Sequence, residues 1–399
     1  MFRLARMQCT PPFSLREKSS MKSQPALALA RLATLCQSIG LVTVIICTLT
    51  ILSRNLKFQV EKPMRIFAQP VLAIALALGL AAMTEDASAQ INAGDAAARS
   101  LTRLITVGTR SGPRPTIERA QSSNLLTVNG THYLVDSGIG TTRRLTEAGI
   151  WIADIGKIFI SHGHDDHVGG LPALVTSQYN LGRSEIIDIY GPAGTDALTE
   201  GMIQFLTISS EIRVSDGNKT LLIGEIVESH EVEPGIIYRD GNVTVTAVEN
   251  SHFNFQLGSP AYGKYRSYSY RFETADRTIV FTGDTGPSDA LTEFSRGADL
   301  LVTEVTLASA DEFRERRIAT GTWDIMTPDE QAGYLRHMVE EHLTQEEVGR
   351  MAERAGVKAV LLTHLPNSGD PDDDYERFAE QVGMFFSGEI LVAEDLGEY

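Results

Sequence analysis

The chain contains no cysteine beyond residue 47. All three cysteines of the 399-residue sequence, Cys9, Cys36 and Cys47, lie close to its start. Residues 90–399 can therefore form no disulfide bond and can offer no thiolate to a metal ion. A segment of this length can bury an adequate hydrophobic core without cross-links, so the lack of cysteine does not argue against a stable domain.

Positive charge is also scarce in the larger part of the chain. Residues 90–399 carry 25 Lys and Arg against 47 Asp and Glu, which gives a net charge near −22. Proteins that bind nucleic acids need clustered Lys and Arg to contact the phosphates. The composition therefore argues against nucleic acid as the main partner.

The first part of the chain is predicted to direct export. Residues 64–89 have a short basic start, an apolar run over residues 71–82 and an Ala-Ser-Ala site, which together predict a secretory signal peptide. Residues 1–63 are either an upstream extension from a misassigned start or a membrane anchor. The anchor would be the apolar run 39–52, which is short for a span of about 20 residues.

We favour the extension, with Met64 as the true first residue. The rest of the chain is then expected to be periplasmic or secreted, with no membrane span in its mature form. If residues 39–52 do anchor the chain, it is expected to face the periplasm from the inner membrane.

Residues 90–399 predict one layered α/β domain. Short apolar runs alternate with amphipathic ones, and neither an internal repeat nor a long low-complexity linker divides them. The predicted strands are 124–128, 132–136, 157–160, 186–190, 243–248, 268–272, 278–282, 300–303, 359–363 and 389–392. The predicted helices are 141–148, 167–177, 193–205, 289–294, 328–341 and 345–355.

One loop carries an unusual density of possible metal ligands. Residues 161–170 read Ser-His-Gly-His-Asp-Asp-His-Val-Gly-Gly and follow the apolar run 158–160, which predicts a buried strand. Side chains two apart on an extended segment point the same way, so His162 and His164 can share one ion. Asp166 and His167 come where the chain turns and can face a second ion. This donor set suits zinc, with manganese or iron as alternatives, although a polar loop with chance histidines is the other interpretation.

The loop resembles the HxHxDH signature of the metallo-β-lactamase superfamily. Val-Gly-Thr-Arg-Ser-Gly-Pro-Arg-Pro at 107–115, followed by Ser-Ser-Asn at 122–124, is similar to the opening of the RNase Z and arylsulfatase branch. Residues 135–141 resemble the first motif of the superfamily, and residues 341–347 are similar to the His-Ser-Thr segment of that branch. The resemblance extends from about residue 103 to the end of the chain.

Two more candidate ligands stand at the ends of apolar strands. Asp284 closes Ile-Val-Phe-Thr-Gly-Asp and resembles the superfamily's bridging aspartate, although a Gly-Asp pair is also common in ordinary turns. His364 closes Ala-Val-Leu-Leu-Thr-His and is similar to the family's last metal-binding histidine, although a core histidine is the alternative. The remaining ligand must be His252 or His230, and the order of motifs in the family favours His252.

The resemblance implies an αββα four-layer sandwich with a dinuclear metal site at the sheet edge. One ion would be held by His162, His164 and His252, and the other by Asp166, His167 and His364. Asp284 would lie between them, and Asp136 would support the metal loop from behind. Two Zn²⁺ ions, or Mn²⁺ or Fe, would lower the pKa of a bridging water and make it a nucleophile.

Two residues are candidates for direct roles in the reaction. Asp166 could orient the attacking water as well as bind a metal ion. His342 could protonate the departing oxygen. The alternative for His342 is a structural role at the start of the helix that Thr344 caps, since Leu343 replaces the small Ser of the family segment.

These features predict a metal-dependent hydrolase of a small-molecule ester, such as an aryl sulfate or a phosphodiester. Lactone, β-lactam or carbon–halogen hydrolysis on the same site is an alternative. An RNase Z-like tRNA 3′-processing endonuclease and a non-catalytic metal-binding protein are alternatives of other classes. Two inserts carry residues that could line an apolar pocket or be core or dimer contacts. They are Phe255, Tyr262, Tyr265, Tyr268 and Tyr270 within 254–270, and Phe313, Trp323 and Met326 within 306–341. A homodimer is compatible with the sequence.

Overall fold

The computed structural model describes residues 102–307, 309–366 and 375–399, which belong to one compact unit. The predicted signal peptide 64–89, the upstream segment 1–63 and its apolar run 39–52 lie outside the described residues. They therefore stay predictions.

Two seven-stranded sheets form the centre of the described part, with strands labelled by their order in the chain. The first sheet has the spatial order β14-β1-β2-β3-β4-β5-β6 and the second the order β13-β12-β11-β10-β9-β8-β7. The first sheet contains β1 (Thr102–Gly108), β2 (Ser123–Val128), β3 (Thr131–Val135), β4 (Lys157–Phe159), β5 (Ile187–Gly191), β6 (Val227–Glu231) and β14 (Gly397–Glu398). The second contains β7 (Gly235–Arg239), β8 (Thr244–Glu249), β9 (Tyr268–Glu273), β10 (Thr278–Phe281), β11 (Leu300–Glu304), β12 (Ala359–Thr363) and β13 (Glu389–Val392).

The two sheets follow the same plan. Each begins with antiparallel strands, β1 to β3 in the first and β7 to β10 in the second, and continues with parallel ones. The strands β3, β4, β5 and β6 of the first sheet are paired in parallel, each with the next, and so are β10, β11, β12 and β13 of the second. Parallel strands need long crossover connections, and helices supply them here.

The described residues form nine α-helices, most of which pack on the outer faces of the sheets. They are α1 (Thr141–Glu147), α2 (Asp165–Val168), α3 (Leu171–Asn180), α4 (Thr195–Ser215), α5 (Asp289–Phe294), α6 (Ala310–Ala319), α7 (Pro328–Glu340), α8 (Gln345–Ala355) and α9 (Glu376–Val382). Local sequence sets their ends. Thr344 forms a capping box with Glu347 at the start of α8, and Gly356, with a φ of 63°, ends that helix.

Three hydrophobic clusters correspond to the three interfaces of a four-layer sandwich. Neighbouring residues on a strand face opposite sides of the sheet, so Leu104 joins the cluster between the sheets while Ile105 packs under the helices of the first sheet. A third cluster joins the second sheet to its own helices. The predicted αββα fold is confirmed.

Most predicted elements are present, with informative exceptions. The predicted helix 167–177 is wrong, because Gly169 and Gly170 separate α2 from α3. The helix predicted to end at Phe205 continues to Ser215. The prediction stopped early because Ile208 and Ile212, which are exposed, obscure the amphipathic pattern. The sequence analysis did not predict β1, β6, β7, β14, α6 and α9.

In the part of the chain that the structure describes, no helix combines the length and the apolar composition needed to cross a bilayer.

Phe272 tests the packing between the sheets. Its ring is fully buried, with ring centroids 5.2 Å from Phe159 and 5.5 Å from Phe281. Phe272→Ala should lower the free energy of unfolding by about 3–5 kcal/mol, because it removes a buried ring and leaves a cavity. Urea unfolding followed by circular dichroism measures this. The control is Phe205→Ala, whose side chain is 75% exposed on α4; equal losses from both variants would contradict the four-layer packing.

Candidate metal centre

The ligand loop leaves the first sheet at the end of β4. Its backbone is extended at His164, and α2 begins at the next residue, Asp165. The predicted strand-then-turn geometry is thus present. His162, Asp166 and His167 are buried, and His164 is half-buried. The loop therefore directs four polar side chains inward instead of toward solvent.

The other candidate ligands follow strands of the second sheet. His252 comes after β8, Asp284 after β10 and His364 after β12. Strands β10 and β12 run parallel, and β8 points the same way because β8 and β10 are both antiparallel to β9. The three strand ends therefore share one edge of the sheet, opposite the loop after β4.

One cluster joins the two sheets through three imidazoles. His164 Nδ1 lies 3.1 Å from His162 Nε2 and 3.1 Å from His252 Nε2. Asp284 Oδ2 lies 3.9 Å from both of those Nε2 atoms. These four side chains can each direct one donor atom at a common point.

A second cluster shares Asp284 with the first. His364 Nε2 lies 3.2 Å from Asp166 Oδ2 and 3.3 Å from Asp284 Oδ2. His167 Nε2 lies 3.2 Å from Asp284 Oδ1. The donor atoms of these four residues also converge. The structure thus brings together all seven predicted ligands, in the two sets that the family resemblance implied.

The donor atoms fit a pair of cations. Among the described residues, His167 Nε2 and Asp284 Oδ1 are buried and, although they lie 3.2 Å apart, neither is aligned for a hydrogen bond to the other or to a further group. Buried polar atoms are normally satisfied, so unsatisfied ones call for a ligand. The donor atoms of each cluster lie within 4.8 Å of one another. Imidazole nitrogens and carboxylate oxygens are the donor set of zinc and related metals.

Burial and neighbouring charges shift the titration of the cluster. Burial lowers the pKa values of His162 and His252, which keeps both rings neutral and able to bind metal. Although burial alone would lower the pKa of His167, Asp284, Asp166 and Asp136 raise it well above its usual range. A protonated His167 balances these carboxylates, so a cation that binds here must displace that proton.

Asp136 holds the loop from the inner side. Its Oδ1 accepts a hydrogen bond from the backbone N–H of Ser161 at 2.7 Å, and its Oδ2 lies 2.8 Å from His167 Nδ1. The contact to Nδ1 leaves Nε2 of His167 directed into the site. Asp136 and His364 both adopt positive φ, 63° and 49°, which non-glycine residues rarely do.

Two glycines allow the backbone to approach the centre closely. A side chain on Gly112 would lie 2.4 Å from the carboxylate of Asp166. Gly283, with a φ of 60°, turns the chain just before Asp284. The opening motif at 107–115 therefore contacts the ligand loop directly.

Glu304 is a functional candidate that the sequence analysis missed. Its Oε2 lies 2.6 Å from His342 Nδ1, and both side chains are buried. Burial raises the pKa of the Glu304 carboxyl and lowers that of His342, which favours the neutral forms of both. The sequence signal was a Glu at the end of an otherwise apolar strand, β11.

Helix α7 places one further histidine at the centre. His337, to which the sequence assigned no role, has its ring centroid 5.4 Å from that of His252 and 5.0 Å from that of His342. Its Nδ1 pairs with Glu341 at 2.8 Å. His230 instead contacts Asp188, away from the two clusters, which agrees with the choice of His252.

A cavity of about 270 Å³ opens onto the clusters. Asp166, Asp284 and His364 line its floor, and His342, His337 and Arg317 line its wall. Arg317 stacks over the Tyr334 ring at 4.3 Å. This cavity gives a substrate access to the metal ligands.

The family model described as a β-lactamase superfamily domain matches residues 131–365, which is more than half of the chain. The matched range includes every candidate metal ligand. The chain belongs to the metallo-β-lactamase superfamily. It is a metal-dependent hydrolase, and members of this superfamily typically hold two metal ions, often zinc.

Several relatives carry the name Ribonuclease Z. One from Methanosarcina acetivorans is 30% identical over 321 residues, covering 74% of this chain and 97% of the relative. One from Methanosarcina mazei is 27% identical over 342 residues, with the same coverage. These names count against the expectation, drawn from the acidic composition, that nucleic acid is not the main partner. Net charge is a poor guide here, since it does not report the charge of a local surface.

Solved structures support the fold. A metallo-β-lactamase fold protein of Bacillus subtilis is 21% identical, with a TM-score of 0.52 and coverage of 75% of this chain and 98% of that protein. The short form of human tRNase Z is 21% identical, with a TM-score of 0.51 and coverage of 74% and 98%.

Metal stoichiometry tests the assignment of ligands. We expect two equivalents of zinc per chain in the loaded wild type and fewer in His252→Ala, because that variant loses one of three imidazoles around its ion. The matched control is His230→Ala, which should retain two. Plasma mass spectrometry after gel filtration measures the content. Equal loss in both variants, or none in His252→Ala, would remove His252 from the centre.

Proposed function

We propose that the protein hydrolyses a phosphodiester bond with the help of two bound cations. The observation that carries this proposal is the pair of four-residue donor clusters that share Asp284 beneath an open cavity. The name Ribonuclease Z in the relatives supports a phosphodiester over the sulfate, lactone, β-lactam and carbon–halogen alternatives. Ribonucleases cleave phosphodiester bonds.

The proposed ligands are those that the clusters bring together. His162, His164 and His252 would hold one ion, and Asp166, His167 and His364 the other, with Asp284 shared. When bound, the two cations supply a nucleophilic water at neutral pH and neutralise charge on the phosphoryl oxygens. Asp166 has a second carboxylate oxygen with which to orient that water, and Asp136 fixes the ring of His167.

His342 is the proposed proton donor to the departing oxygen. With Glu304 protonated and hydrogen-bonded to Nδ1, the neutral His342 ring carries its proton on Nε2. The ring lines the cavity, so this proton can pass to the leaving oxygen while the Glu304 proton moves to Nδ1. Glu304 is a positioning residue, because it acts through His342.

A small phosphodiester fits the cavity better than a long polyanion. Among its described lining residues, Arg317 is the single Lys or Arg, and Asp165, which is not a proposed metal ligand, is acidic. A polynucleotide chain needs several basic contacts along its phosphates. An RNA substrate is the second candidate, and the names of the relatives favour it.

An assay panel separates these candidates. Zinc- or manganese-loaded protein should hydrolyse bis(p-nitrophenyl) phosphate, and a transfer RNA precursor with a 3′ extension should remain intact under the same conditions. Cleavage of the precursor at comparable efficiency would favour the ribonuclease. Turnover of p-nitrophenyl sulfate with no phosphodiester turnover would contradict the proposal. Asp284→Ala serves as the inactive control.

The role of His342 predicts a dependence on the leaving group. His342→Ala should lower kcat about 10²–10³-fold for an alkyl leaving group, which needs a proton as it departs. For a p-nitrophenolate leaving group, which departs without a proton, the same variant should lower kcat by less than about tenfold. Glu304→Gln should show the same pattern more weakly. Equal losses on both substrates would assign His342 a structural role instead.

We also propose that the protein acts outside the cytoplasm, on the basis of the signal-peptide pattern in residues 64–89. Mass spectrometry of the mature N-terminus from a periplasmic fraction tests this. A mature start near Gln90 supports export, whereas an intact Met1 or Met64 in a cytoplasmic fraction contradicts it.

A further inference from the structure

A second cavity, of about 480 Å³, borders the metal centre at His164. His164 lines both this cavity and the one that opens onto the clusters, so the two meet at a proposed metal ligand. The walls of the second cavity are mostly apolar. They include Ile160, Pro192, Leu198, Phe253, Phe255 and Tyr265.

The aromatic residues of this wall contact the proposed metal ligands. The Phe253 ring lies with its centroid 4.9 Å from that of His252 and 5.2 Å from that of His164. Phe255 stacks on Phe253 at 4.9 Å. Both phenylalanine rings are only partly buried, so they present apolar surface beside the proposed reaction centre.

The Arg266 side chain and two backbone N–H groups beside this cavity, all possible donors to an anion, already have partners. Arg266 pairs with Glu233 at 2.7 Å. The backbone N–H groups of Gly194 and Asp196, at the start of α4, donate to Glu231 Oε1. The cavity therefore selects an apolar group over an anion.

The position of His342 decides which part of a substrate can enter. His342 lines the metal-centre cavity and is not among the residues that line the apolar one. A leaving group that takes its proton from His342 must depart on that side. The two cavities share His164 alone among their lining residues, so the ester group that stays on the phosphorus is the one left to enter the apolar cavity.

We propose that this cavity is a binding subsite for an aromatic or bulky apolar ester group, the one that remains attached during hydrolysis. The inference rests on the proposed phosphodiester hydrolysis and specifies its substrate class as a diester with one apolar arm. Residues 253–265 contribute three of the rings that line it, those of Phe253, Phe255 and Tyr265.

Two diesters with the same leaving group test the subsite. The wild type should show a KM for bis(p-nitrophenyl) phosphate about tenfold lower than for methyl p-nitrophenyl phosphate, because an aromatic ring is buried in one case only. Phe255→Ala, which removes a wall, and Ala197→Phe, which fills the cavity from α4, should each abolish most of this difference. Their kcat values should change little.

The control variant is Leu257→Ala, on the same segment but 84% exposed and outside the lining. It should keep the wild-type preference. Each variant is first checked for wild-type zinc content and melting temperature, and Ala197→Phe provides the test if Phe255→Ala does not fold.

A binding measurement separates this inference from the proposed function. Calorimetric titration of zinc-loaded protein should give tighter binding of phenylphosphonate than of methylphosphonate by about tenfold, with the preference lost in both cavity variants. If no phosphodiester is hydrolysed but this preference holds, the subsite stands and the proposed reaction fails. If diesters are hydrolysed without any aryl preference, or the cavity variants keep it, the subsite is overturned.

Discussion

The structure depends on one buried carboxylate. Asp284 is 2% exposed and lies within 4 Å of four imidazoles, contributed by His162, His167, His252 and His364. Burial alone would raise the pKa of this carboxyl, but the neighbouring rings hold it well below its usual range. A buried anion of this kind requires compensating positive charge, from protonated imidazoles or from cations that replace those protons.

The two packed sheets, and no disulfide bond, bring the imidazoles and the other ligands to Asp284. The ligands come from the ends of β4, β8, β10 and β12, and the strands that carry them are fixed by two sheets that pack face to face. Each sheet positions its own half of the site, and Asp284 joins the halves. Substitutions between the sheets, such as at Phe272, should therefore affect the site through the distance between its two halves.

The sequence was most informative where chemistry and secondary structure coincide. His162, Asp284 and His364 each follow an apolar strand, so their type and their position both indicate ligands. Glu304 was missed because a single Glu at a strand end is only a weak local signal, and its meaning depends on His342, which is distant in the chain. The break at Gly169 and the extension of α4 past Phe205 are also decided by tertiary contacts that periodicity does not report.

The two cavities could not be predicted from the sequence for the same reason. The aromatic residues of 254–270 divide between different roles: Phe255 and Tyr265 line the apolar cavity, whereas Tyr268 and Tyr270 lie in the core between the sheets. The composition of the segment does not distinguish these residues, and the three-dimensional path of the chain decides which of them line the cavity and which lie in the core. The main guide to the substrate is that one cavity is lined by many ionisable side chains and the other mainly by aliphatic and aromatic ones, while both border His164.

The central claim is that Asp284 lies between two cations. Anomalous X-ray diffraction from crystals of the zinc-loaded protein, collected on both sides of the zinc absorption edge, tests this most directly. The account predicts two anomalous peaks per chain, one among His162, His164 and His252 and one among Asp166, His167 and His364, with Asp284 contacting both. A single peak, or peaks that do not contact Asp284, would contradict it.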